Sequence, residues 1–391
     1  MTNDTHSQQE EDTTEQDALQ KLLDETMKVG QKLAKAVRSK ANDKPDERDA
    51  ALKEARKLFD TIADQVTPDT RNRVETFTPI DLIEAYWQKI EERKDAAGTG
   101  IASLDKALSG GLEQDRLMVL LGAPGSGKTT LVNQIADHVA GSGRPVLYTT
   151  SEDMPMALLA KTIARRGQLD YSAVQRGYPS EKARINQAFM LYRNQKSASL
   201  LRYLDATRGT TLDTIAEQAE VHFDAHKAEA TGAGIIVVDY LQRLARGEGL
   251  GTDLRSSITV YTEKLREIAC DLHCTVIGLC AMNRASGYHA GNSTIASAKE
   301  SGDIDYTADV IMAIGEGIDE AGNVMSEPAP GMRQWMLRID KNRQGETTYS
   351  KNHIYLDWWP ARQQFTESRK EEDISQDSDK VAGKSSRRGR R

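Results

Sequence analysis

Nine consecutive residues, Gly122, Ala123, Pro124, Gly125, Ser126, Gly127, Lys128, Thr129 and Thr130, read GAPGSGKTT. Gly122, Gly127, Lys128 and Thr129 fill the spacing G-x-x-x-x-G-K-[ST]. Glycines at this spacing let backbone N–H groups curl around phosphate oxygens, and the start of a helix adds its own N–H groups. Lys128 would put a cation on the β- and γ-phosphates, and the Thr129 hydroxyl would ligate Mg²⁺. The segment follows the apolar run LMVLL and precedes LVNQIADHVA, which is the strand–loop–helix context such a loop requires. The loop alone points to a nucleoside triphosphate without saying which.

Two further carboxylates fit the same chemistry. GIIVVDYLQ (234–242) reads as a buried strand ending in Asp239, placed to hold the Mg²⁺ water shell. PVLYTTSEDMP (145–155) offers Glu152 and Asp153 just past the next strand. Hydrolysis needs a group that polarises the attacking water. Glu152 is the candidate base and Asp153 the runner-up; the alternative is that the acidic pair caps the following helix. A third feature lies far along the chain. LRIDKNRQGETTY (337–349) reads as a strand at Leu337–Asp340, a turn at Gln344-Gly345 and a return strand through Thr347 and Tyr349. Lys341 and Arg343 stand at its tip, and no carboxylate nearby in the sequence would neutralise both.

The elements that must carry these residues follow from pattern. RLMVLLG, PVLYTT, SLLRYLD, GIIVVDY, CTVIGLC and DVIMAIG are short β-rich runs, most of them separated by helical stretches. That alternation predicts an α/β fold with a mostly parallel sheet and helices on both faces. The late hairpin would add antiparallel strands. A small all-helical region precedes this core. Apolar spacing predicts helices over 18–41 and 46–66 and a third from Pro79 to about 93, with Thr78 as its N-cap. A composition shift sets the boundary near 95. Residues 1–17 hold six acids and no Lys or Arg and are expected to be disordered, as is 366–391, whose last eight residues carry five basic groups.

Composition limits the function classes. The chain has 391 residues, 38% hydrophobic and 28% charged, with a net charge of −7. It can bury a core, and the acidic balance argues against a protein that coats nucleic acid generally, though not against a local basic channel. No apolar run approaches the ~20 residues of a membrane helix, and the acidic start has no signal-peptide pattern. Cys270, Cys274 and Cys280 match no zinc spacing and read as buried thiols in a reducing cytosol.

Taken together, the motifs over about 98–365 resemble the RecA-like motor domain of the DnaB family of replicative hexameric helicases. GIASLDKALSGGL looks like that family's lead-in to the P-loop strand. SEDMP is similar to its S-L-E-M-P, VVDYLQ to its Walker B stretch and AMNRAS to S-Q-L-N-R-S. AKESGDIDYTADVIM is similar to R-E-S-G-x-I-E-x-D-A-D-x-I-M, and KNRQG to K-Q-R-N-G. The RadA/KaiC group shares the lead-in, the P-loop and the VLY…SE strand but not the D-Y-L-Q and E-S-G features, so it ranks second. A protein whose hydrolysis only times ring disassembly is a third reading.

The resemblance implies an ATP-dependent DNA helicase, a homohexameric ring on single-stranded DNA, and a loader protein as a further partner. Lys341 and Arg343 would act in trans on the neighbouring subunit's nucleotide. Two Gly/Ser-rich stretches, 243–257 and 283–302, would be pore loops holding DNA through Arg243, Arg246, Arg255, Arg284 and Lys299. The helix at 79–93 would be a linker helix that docks on the next subunit. Departures stand out: Ala281 replaces the family's Gln, SEDMP is one residue longer, and the family's globular N-terminal domain has no counterpart. Without that collar, a primase contact is not supported.

Overall fold

Leu117 to Gly122 are six consecutive buried residues. A strand apolar on both faces belongs in the middle of a sheet covered on both sides, and that is where the computed structural model places it. It describes residues 77–93, 96–249, 253–281, 304–317, 325, 329–343, 345–348 and 353–368. The expected helices at 18–41 and 46–66, the acidic start, Arg284, Lys299 and residues 369–391 lie outside the described residues. The chain divides into two compact units, Met1–Ile80 and Asp81–Arg391. Only 77–80 of the first are described.

In chain order the helices are α1 (Pro79–Arg93), α2 (Ala102–Ala107), α3 (Lys128–Gly141), α4 (Pro155–Gly167), α5 (Tyr171–Arg176), α6 (Lys182–Arg193), α7 (Ser197–Leu200), α8 (Leu212–His226), α9 (Leu241–Glu248), α10 (Leu254–Asp271) and α11 (Ile304–Thr307). The strands are β1 (Arg116–Gly122), β2 (Val146–Thr150), β3 (Leu201–Asp205), β4 (Ile235–Asp239), β5 (Thr275–Ala281), β6 (Val310–Glu316), β7 (Arg333–Asn342), β8 (Ile354–Trp359) and β9 (Gln364–Glu367). They form one sheet in the order β3-β2-β4-β5-β1-β6-β7-β8-β9. β1 to β6 run parallel, and β7, β8 and β9 are antiparallel additions. The α/β expectation and all six β-rich runs are borne out.

One apolar layer packs α2, α3 and β7 to β9 residues on one face, among them Leu131, Ile135, Leu337 and Phe365. The other face is covered by α8, α9 and α10 through Ile215, Leu244, Tyr261 and Leu265. A smaller cluster joins α4, α5 and α6. A buried ion group ties α3 to α4: Asp137 Oδ2 accepts from Arg165 Nη2 at 2.6 Å and Arg166 Nε at 2.8 Å.

Three sequence expectations need correction. The tail expected to be disordered from 366 is ordered at its start, because Thr366 and Glu367 of β9 pair with Asp357 and Leu356 of β8. Residues 243–257 are not a long loop. Leu241, Leu244 and Ala245 bury a helical face, Gly249 ends α9 with a left-handed φ of 64°, and Asp253 opens α10 with a capping box to Ser256. The glycines mark a helix end rather than an open loop, and the intervening residues 250–252 lie outside the described ones. The late hairpin also differs. β7 runs on to Asn342 and its partner β8 begins only at Ile354, so Thr347 lies in no strand; Thr348 still bonds back to Ile339, and Gln344 and Tyr349 lie outside the described residues. Cys274 and Cys280 are buried and Cys270 is half-buried.

Candidate active site

Parallel strands deliver their ligand-binding groups at their carboxyl ends. Here β1 ends at Gly122, β2 at Thr150 and β4 at Asp239, so the P-loop, Glu152 and Asp239 gather along one edge. Ser151 joins two of those ends. Its N–H and Oγ both donate to the Asp239 carbonyl, at 2.7 and 2.9 Å, and its Oγ accepts from Tyr240 N–H at 3.2 Å. The stitch ties the residue before Glu152 to the end of β4.

The P-loop has its expected shape. Gly127, with φ 83°, is a left-handed N-cap for α3, and a Cβ there would lie 2.8 Å from the Phe365 ring. Only glycine suits both conditions. Lys128 Nζ donates to the carbonyls of Gly122 and Ala123 at 2.8 and 2.9 Å. Burial pushes the Lys128 pKa down, against the opposing pull of Cys280, Asp239 and Glu152. The Ser126 hydroxyl is buried and has no hydrogen-bond partner. A buried polar atom without a partner, inside the loop and two residues before Lys128, fits an incoming polyphosphate. The site thus suits a nucleotide.

Asp239 is buried, and desolvation raises its pKa; hydrogen bonds from Thr129 and Tyr148 oppose the rise. Tyr148 Oη donates at 2.9 Å. Thr129 and Asp239 therefore stand together, a hydroxyl and a carboxylate suited to a hard divalent cation. Of the two neighbouring acids, Asp153 is paired with Lys161 at 2.5 Å, while Glu152 is exposed.

The C-terminal strands buttress the loop. Gln134 Nε2 donates to the Phe365 carbonyl at 2.8 Å and Gln134 Oε1 accepts from Phe365 N–H at 2.9 Å. Thr130 Oγ1 donates to Gln363 Oε1 at 2.9 Å. Sequence reasoning missed Gln363 and Phe365 because their partners lie more than two hundred residues away. It also missed Tyr148, whose hydroxyl in a buried strand was a readable signal. Gln242 brackets the end of β5: it donates to the Ala281 carbonyl at 2.9 Å and accepts from Ala281 N–H at 3.2 Å.

The two late cations lie elsewhere. Lys341 pairs with Ile311 on β6, and Asn342 with Val310, so both cations sit at the amino-end edge of the parallel strands. Arg343 and Arg116 both reach Asp309. From Arg116 to Gly122 is six steps along the seven residues of β1, about 20 Å at ~3.3 Å each. They are therefore distant from this chain's own P-loop. Arg343 does have a carboxylate partner, Asp309, whose Oδ1 lies 3.1 Å from its Nη1; standing 34 residues upstream, it is outside the local sequence that the expectation covered. Arg243 and Arg246 are exposed on α9, with Arg243 Nη2 donating to the Thr207 carbonyl at 3.0 Å. Arg255 is exposed in the first turn of α10.

A sequence model of the DnaB-like helicase C-terminal domain matches residues 97–367. The chain belongs to that family. The resemblance read from the motifs is borne out over nearly the span they marked. Within the curated proteins, the replicative DNA helicase DnaB of Pasteurella multocida is 29% identical over 255 residues, covering 63% of this chain and 52% of that protein. The DNA repair protein RadA of Aquifex aeolicus is 36% identical over 107 residues, covering 27% of this chain and 23% of that protein. Its shorter match leaves the DnaB-like reading ahead. A solved DnaB-like replicative helicase, whose structure addresses its interactions with primase, superposes with a TM-score of 0.63 at 16% identity, covering 89% of this chain and 76% of that chain, which shows the fold. The chain spans about half the length of the curated DnaB relatives it matches.

Proposed function

We propose that this chain is the motor of a homohexameric DNA helicase, hydrolysing ATP between subunits while moving on single-stranded DNA. The observation that carries the reading is the separation of its cations. Lys128, Thr129, Asp239 and Glu152 share one edge of the sheet, while Lys341 and Arg343 lie at the other, about 20 Å away along β1. Cations so placed cannot serve the phosphates of their own subunit and can serve a neighbour's.

In this account the P-loop N–H groups and the Ser126 hydroxyl hold the phosphates. Lys128 exchanges its two carbonyl partners for phosphate oxygens. Thr129 and Asp239 would hold Mg²⁺, which would supply charge neutralisation for the phosphates. Glu152 orients the attacking water and takes its proton; Asp153, neutralised by Lys161, is the poorer base. Arg343 and Lys341 of the adjacent subunit stabilise the charge that develops on the transferred phosphoryl group, a contribution of ~10³–10⁵ in rate. Arg243, Arg246 and Arg255, with Arg284 and Lys299, would give six copies of a basic lining although each chain carries −7. Helix α1 supports ring assembly: Ile83, Tyr86 and Trp87 are exposed, Trp87 at 70%, an apolar face suited to docking on the next subunit. A loader protein and a cytoplasmic setting accompany this reading.

Subunit mixing tests it. Arg343→Ala and Lys128→Ala rings should each be inactive, and mixed rings should recover part of the turnover, because some interfaces pair an intact P-loop with an intact finger. Absence of recovery at every mixing ratio would count against sites shared between subunits.

A further inference from the structure

Asp309, at the head of β6, is 1% exposed, yet three guanidinium groups converge on it. Arg343 Nη1 lies 3.1 Å, Arg266 Nη2 3.3 Å and Arg116 Nη1 3.7 Å from the same oxygen, Oδ1. The other oxygen, Oδ2, accepts from Leu117 N–H at 3.1 Å. The Asp309 carbonyl also accepts from Arg343 N–H at 3.0 Å. The second arm of Arg343 donates to the Tyr306 carbonyl, and Lys341 Nζ donates to the carbonyls of Asp305 and Ala308. A six-residue stretch, 304–309, thus holds both late cations.

We infer that Asp309 is a positioning residue that parks the arginine finger in its own subunit, and that Arg116 and Arg266 compete with the finger for the same carboxylate oxygen. The inference rests on the proposed trans role of Arg343 and deepens it. A buried carboxylate stripped of its only cation is costly. Asp309 avoids that cost, because two guanidiniums and the Leu117 N–H remain when Arg343 leaves. A neighbour's γ-phosphate, with more charge and more acceptor oxygens than one carboxylate, can therefore draw the finger away. Arg116, Asp309 and Arg343 line one open surface pocket, so the guanidinium has a solvent-side route out. The strength of the dock then sets how often the finger is available. In the sequence, residue 304 lies two positions beyond 302, where the stretch proposed to hold DNA ends, so DNA engagement would act on the dock through the chain.

The competition makes two variants move in opposite directions, which damage to the fold would not do. Asp309→Asn removes the charge and frees the finger. ATP turnover without DNA should rise roughly two- to fivefold, the scale of one partly exposed charged contact, and stimulation by single-stranded DNA should shrink in proportion. Arg266→Ala removes a competitor and parks the finger more firmly, so turnover without DNA should fall by a similar factor. Both are measured on rings whose assembly and melting match the wild type, with Arg343→Ala alongside. A fall in both variants, or no change in either while Arg343→Ala is dead, would overturn the dock and leave the trans finger standing. Full turnover in Arg343→Ala would instead remove the trans reading on which the dock rests. If Asp309→Asn does not assemble, Arg116→Ala and Arg266→Ala are compared with the wild type over a salt series: salt weakens the ion pair that parks the finger, so their deficit in turnover should shrink as salt rises, and a deficit that salt leaves unchanged would overturn the inference.

Discussion

Glu152 and Asp153 are neighbours in the chain, but their surroundings give them different work. Asp153 is held by Lys161, whereas Glu152 is exposed beside the P-loop. Glu152→Gln should therefore lower ATP turnover by about 10²–10⁴, the usual worth of a general base, with nucleotide affinity unchanged. Asp153→Asn should cost far less. Steady-state turnover and fluorescent-nucleotide binding separate the two, and equal losses would contradict the assignment. At this scale much was legible. A phosphate loop is made of contiguous residues, so Gly122 to Thr130 announce it. The choice between Glu152 and Asp153 was not legible, because Lys161 stands eight residues on and only the start of α4 brings it back. Phe365 and Asp309 were missed for the same reason, since each acts on partners far off in the chain, Gly127 and Leu117 among them; Tyr148 also has a distant partner, Asp239, but its hydroxyl in an apolar strand could have been read.

The coupling of α3 to α4 rests on a buried charge. Asp137 and Arg165 are 2% and 6% exposed in their side chains. Removing one partner leaves the other buried and uncompensated, so Asp137→Ala should cost about 3–5 kcal/mol in chemical denaturation. A loss below about 1 kcal/mol, the level of a surface pair, would contradict it. Desolvation raises the Asp137 pKa, but the Arg166 hydrogen bond and the charges of Arg165 and Arg166 outweigh it and leave it lowered. A lowered carboxylate contributes stability that is complete above its unfolded value and is lost as pH falls through its folded value. The Asp137 share of stability should thus be flat at neutral pH and vanish only in acid, below about 3.9. A denaturation series over pH, wild type against Asp137→Ala, checks the sign. Strands were easier to read than loops here: β1, β4 and β5 are apolar on both faces, and a buried strand leaves no doubt. The stretch 243–257 misled because glycine can end a helix as well as open a loop.

A ring of acidic subunits can still hold DNA if its cations face one channel. Arg243, Arg246 and Arg255 lie on helices, so their directions are fixed by packing rather than by loop motion. Binding of single-stranded DNA should weaken steeply with salt. Arg246→Ala should flatten the slope of log affinity against log salt by about 0.7 for each phosphate that Arg246 neutralises; an unchanged slope would place Arg246 outside the channel. The order of the motifs gave the family at this scale, while ring geometry was not in the sequence, since it depends on surfaces such as the exposed face around Trp87. The most direct test of the motor is ATP-driven unwinding of a forked DNA duplex, with Lys128→Ala as the blank. Strand separation by the wild type alone is the predicted result. Vigorous ATP hydrolysis by assembled rings on that fork, with no strand separation, would contradict it.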